Sequence, residues 1–131
     1  MLKDQISLLS NEGRYDEIIE MVEAAEEDEK DFFVWSQLAL AYNNTNRLED
    51  AIATLYQIKE EGESHPVWHY YLGYALVFSG LKQEGKRHLL EARRLSPAVP
   101  VNRILYYAIT ADSPMVPAID NSVLVRWVAE L

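Results

Sequence analysis

The chain has 131 residues, 49% apolar and 25% charged, a balance that suits one folded domain with a continuous core. It contains no cysteine, which excludes a disulfide framework and a thiolate metal site. The net charge of −9 is front-loaded, with 16 acids and 5 bases in residues 1–65 against 5 and 7 in residues 66–131, and such a front half repels phosphate backbones.

The opening MLKDQISLLSNEG lacks the apolar run and cleavage site of a signal peptide, and no stretch approaches 18 uncharged apolar residues. A cytoplasmic protein with no membrane and no nucleic-acid partner is the expectation. Leu2, Ile6 and Leu9 predict a short helix over 2–10, ended by Asn11-Glu12-Gly13. Tyr15, Ile18, Ile19, Val22 and Ala25 predict a second helix over 15–25. The acidic run from Glu23 to Asp31 follows, where carboxylates meet the negative end of the helix dipole and favour fraying. It is either a solvated helix end or a docking surface for a basic segment.

Asp31 is placed to cap a helix over 32–44, which carries Trp35, Leu38, Ala39 and Tyr42. Asn43 to Asn46 predict a turn, and Leu48 to Glu61 a partner helix with the small residue Ala51 followed by Leu55 and Ile58. The stretch Pro66 to Pro97 repeats this plan. Leu72, Gly73 and Leu76 set large, small and large residues on one face, Gly80 ends the helix, and Lys82 to Leu95 bears Leu89, Ala92 and Leu95. Leu38-Ala39 and Leu72-Gly73 stand 34 residues apart. Beyond Pro97, Val101 to Ala111 predict a covering helix with Ile104, Leu105 and Ala108. A loop from Asp112 to Pro117 and a last helix over 122–131 follow, with Val123, Leu124, Trp127, Val128 and Leu131.

The W-x2-L-A-x2-Y pattern of Trp35 to Tyr42, the 34-residue step and the helix-glycine-helix-proline unit resemble the tetratricopeptide repeat (TPR) family. The resemblance covers 32–99 well and 2–31 weakly, since Ile18 stands where the family prefers alanine. It implies an all-α, TPR-type helical-hairpin solenoid of about seven or eight helices. Residues 1–131 then form a single domain, with a degenerate repeat at 2–31, repeats at 32–65 and 66–99, and C-terminal capping helices at 100–131. It also implies that the first helix of each repeat lines a concave, partner-binding face. Mapped here, that face holds Phe33, Ser36, Gln37, Leu40, Asn43 and Asn44 in one repeat. The other contributes Val67, Tyr70, Tyr71, Tyr74, Val77 and Phe78. The aromatic cluster suits either a partner or a cover formed by the chain's own C-terminal helices. The family's clamp for a C-terminal carboxylate needs cations, and Leu40, Tyr70, Tyr71 and Tyr74 supply none.

Other motifs carry less. Gly80 to Lys86 has the opening spacing of a phosphate-binding loop, but a helix precedes it and Arg87 replaces the hydroxyl residue. His65 and His69 are four apart, with Pro66 between them and no third ligand in view. Asn43-Asn44-Thr45 is a glycosylation sequon in letters only. No nucleophile elbow or H-E-x-x-H is present. The expectation is a non-enzymatic adaptor, scaffold or chaperone-like module without cofactor or metal, holding a protein or peptide segment in the concave groove. The alternative is a self-associating subunit, a homodimer through Ser122–Leu131 and the aromatic face.

Overall fold

The computed structural model describes residues 2–110, with side chains through Ala108. These residues form eight α-helices and no strand. The helices are α1 (Leu2–Asn11), α2 (Tyr15–Ala24), α3 (Phe32–Asn44), α4 (Leu48–Gln57), α5 (Lys59–Gly62), α6 (Pro66–Phe78), α7 (Lys82–Leu95) and α8 (Asn102–Thr110), with a 3-10 turn at Glu27–Glu29 in the acidic run. The expected loop at 112–117, the helix at 122–131 and the dimer surface built on it lie outside the described residues.

Neighbouring helices pair as α1 with α2, α3 with α4 and α6 with α7. The three hairpin turns share one backbone solution. Gly13, Asn46 and Gly80 are each left-handed, at φ of 70°, 61° and 94°. The residue after each donates its N–H to the carbonyl five positions back: Arg14 to Leu9, Arg47 to Tyr42 and Leu81 to Leu76, at 2.8–2.9 Å. This bond satisfies a carbonyl that the helix end leaves open. Those residues then start the next helix with closely matching angles, −90° and 64°, −97° and 64°, −93° and 62°.

Helices α1, α3, α6 and α8 follow one another in contact, while α2, α4 and α7 each bridge to the helix that comes next. Ile6, Leu9, Ile18, Ile19 and Val22 close the first part of the core against Val34, Leu38, Ala41 and Tyr42. Leu55, Trp68, Leu72 and Leu76 fill the middle. At the far end Ile104, Leu105 and Ala108 cover Val77, Leu89 and Ala92, as expected of a covering helix. Asp31 caps α3 as its position predicts, accepting from Val34 N–H at 3.0 Å, and pairs with Lys3 at 2.5 Å.

The helix predicted over 48–61 is broken at Ile58, which separates α4 from α5. The cause lies in α6. The buried Trp68 indole donates its N–H to the Leu55 carbonyl at 2.8 Å, which also accepts the Ile58 N–H at 3.2 Å. Its ring lies so close to Gly62 that a Cβ there would sit 2.4 Å from it. Seating a large ring beneath the end of this helix distorts the ladder locally, a tertiary effect that the amphipathic pattern of 48–61 does not carry.

Candidate functional site

The last turn of α3 and the middle of α6 run side by side, and their facing side chains enclose a cavity of about 200 Å³. Leu40, Asn43 and Asn44 come from α3, where spacings of three and four place them on one face. Tyr70, Tyr71 and Tyr74 come from α6, and Tyr15 enters from the first residue of α2. Lysine, arginine, aspartate and glutamate are all missing from the lining.

The two helices are tied at this point. Asn43 donates through Nδ2 to the Tyr71 carbonyl at 3.1 Å, and Asn44 donates back to the Leu40 carbonyl at 2.8 Å. Asn43 is only 5% exposed, and its Oδ1 is buried without a hydrogen-bond partner. Such an acceptor is uncommon in a folded chain, because burial removes water without supplying a donor. Burial raises the Tyr70 phenol, with a smaller push from Tyr74. Burial again leads at Tyr71, with Tyr70 and Tyr15 adding to it, and its phenol is pushed up to about 12. These rings stay neutral over the physiological range.

Six of the residues expected on the partner face therefore meet around one cavity: Leu40, Asn43, Asn44, Tyr70, Tyr71 and Tyr74. Phe78 lies one turn further along α6. Its ring centroid is 4.7 Å from Tyr74 and 5.0 Å from Tyr107 of α8, in a row exposed at its outer end. Phe33 packs against the first core cluster, Gln37 is half-buried, and Val67 is exposed at the start of α6. None of these three lines the cavity. Two further assignments to the open face are corrected by burial. Val77 is 1% exposed and belongs to the core under α8, and Ser36 is 5% exposed with its hydroxyl buried. A helix packed on both sides leaves only a narrow stripe free. Tyr15 is the lining residue that repeat mapping misses, since it belongs to a second helix of a hairpin.

A separate polar cluster sits between α6 and α7. His65 stands outside the helix in extended conformation, as Pro66 predicts, and its ring packs on Phe32. His69 faces His88, with Nδ1 to Nδ1 at 3.0 Å and its Nε2 at 2.8 Å from the Glu63 carbonyl. Among the described residues no group of three or more histidine, cysteine or carboxylate side chains is placed to hold a metal. Glycines 80 and 85 of the loop-like motif serve the turn and the α6–α7 crossing. No described helix is long and apolar enough to cross a membrane.

In comparison with known proteins, no family model, no curated protein and no solved structure matches the chain.

Proposed function

We propose that the chain is a TPR-like helical-hairpin protein that works as a binding module, an adaptor or scaffold rather than an enzyme. It holds a segment of a partner protein against α3 and α6. The observation that carries this reading is the cavity between α3 and α6, lined by three tyrosines of α6 and by no charged side chain. An aromatic lining provides contact area at small entropic cost, as is usual in a protein-binding hot spot. The repeated turns at Gly13, Asn46 and Gly80 support the repeat reading, since one local solution used three times stacks hairpins regularly.

The test is affinity capture from host lysate with three forms of the chain: wild type, the Tyr70→Ala, Tyr74→Lys double variant, and Tyr56→Ala on the exposed face of α4. Circular dichroism first establishes that the variants are folded. A partner retained by wild type and Tyr56→Ala but lost from the double variant supports the reading; identical capture by all three contradicts it.

The second reading is self-association. It is favoured by the stacked pair Phe78 and Tyr107, which are 42% and 44% exposed. A molar mass that rises with concentration in light scattering, and returns to monomer in Phe78→Ser, supports this reading over the first.

A further inference from the structure

We infer that the stacked pair Phe78 and Tyr107 is the docking face for residues 121–131 of the same chain. This goes beyond the binding-module reading and does not depend on it. The pair joins two helices, Phe78 in the last turn of α6 and Tyr107 on α8, with ring centroids 5.0 Å apart. Both rings are exposed, although the same helices close the core beneath them through Val77, Leu105 and Ala108. Two large rings side by side in water make an apolar patch that is stabilised by a cover.

The sequence that follows α8 names the occupant. Helix α8 ends at Thr110, one turn beyond Tyr107, so the next residues start at the edge of the pair. Asp112, Ser113, Pro114 and Pro117 are turn-forming residue types that suit a reversal of direction. Val123 stands 13 positions after Thr110, a stretch that spans up to about 40 Å and sets no limit on reach. From there Val123, Leu124, Trp127, Val128 and Leu131 recur at helical spacing on one face, while Arg126 and Ala129 fall on the other. One apolar face without a cover therefore follows directly on another. The tether decides between this segment and other occupants. It holds the segment near the pair at an effective concentration on the order of millimolar. A second copy of the chain, free in solution at a lower concentration, loses that competition for the same face.

The chain has no cysteine, so Ala129→Cys carries a single nitroxide spin label on the polar side of the segment in the full chain. Amide NMR signals of the isotope-labelled protein are compared with the nitroxide intact and after its reduction. The expected result is loss of the Phe78 and Ser79 signals while the nitroxide is intact, with those of Leu8 on α1 retained. Adding Trp127→Ser removes the largest ring of the apolar face and should restore the lost signals. A segment held near by its tether alone would give the same loss with either residue. A mixture of isotope-labelled chain lacking the nitroxide with unlabelled chain bearing it should show no loss. Retention of the Phe78 signal in the single-chain sample overturns the inference, and so does a loss that survives Trp127→Ser. Loss in the mixture overturns it as well, because the cover is then a second copy. Each of these outcomes leaves the binding-module reading to its own capture experiment.

Discussion

The Nδ1 atoms of His69 and His88 lie 3.0 Å apart across the α6–α7 contact, with the rings stacked at a centroid distance of 5.2 Å. A carbonyl can only accept, so the Glu63 contact places a hydrogen on Nε2 of His69. Neutral His69 then presents a bare Nδ1, and His88 donates to it. A second proton at this contact would set N–H against N–H. Burial is the first cause that holds His88 below its ordinary 6.5. His69, Arg87 and Lys59 press the same way, and Glu84 opposes them. In the window just below pH 6.5 the unfolded chain therefore binds more protons than the folded one. The stabilisation is complete above that pH and is lost as the pH falls through it towards the lower folded value. Urea midpoints at pH 7.5 and 5.5 check this: wild type should be less stable at 5.5, and His88→Gln should narrow the difference. An equal difference in both proteins would contradict it.

Gly73 and Gly85 mark where α6 and α7 cross. A Cβ at Gly85 would lie 2.8 Å from the Gly73 carbonyl oxygen and 2.8 Å from the Val77 nitrogen, both backbone atoms that cannot rotate away. Gly85→Ala is expected to cost about 1–3 kcal/mol as the helices are forced apart. Gly80→Ala acts differently: nothing stands within 4 Å, but φ is +94° and the residue is strained, by about 1–2 kcal/mol. Thermal denaturation should show both losses. Only Gly85→Ala should also shift the core resonances of Val77 and Leu89.

Trp68 and Gly62 are coupled in the same way through a side chain. Gly62→Ala drives a methyl group into the indole ring and should cost about 1–3 kcal/mol. In a Trp68→Leu background the obstacle is gone, and the same change should cost markedly less. A double-mutant cycle measured by denaturant unfolding reads this coupling directly, and simple additivity would contradict the packing described.

Asp31 carries the start of α3. Asp31→Ala removes the acceptor for Val34 N–H and should cost about 1 kcal/mol. Asp31→Asn keeps an acceptor and loses only the exposed pairing with Lys3, so most of the stability should return. The chemical-unfolding midpoints of the three proteins should fall in that order.

Much of the helical layout was legible because large, small and large residues at helical spacing leave few ways to pair two helices. Leu72, Gly73 and Leu76 on one side, with Leu89 and Ala92 on the other, announce a close crossing. Gly13 and Gly80 announce turns, because glycine enters the left-handed region freely, whereas Asn46 takes the same conformation with a far weaker signal. The cavity was legible in part. Tyr70, Tyr71 and Tyr74 follow from the face of one helix, but Tyr15 reaches it only through tertiary stacking. The break at Ile58 and the partnership of His69 with His88 likewise join residues far apart in the chain, and no local pattern reports such pairings.

We propose that the face of α6 bearing Tyr70 and Tyr74 holds a partner protein. Site-specific photo-crosslinking in the host tests it most directly, with a photoreactive amino acid placed at Tyr74 and, as control, at Tyr56. A discrete adduct of higher mass, containing a second protein, is expected from Tyr74 and none from Tyr56. Adducts of equal yield from both positions, or from Tyr74 a product composed solely of two copies of this chain, would contradict it.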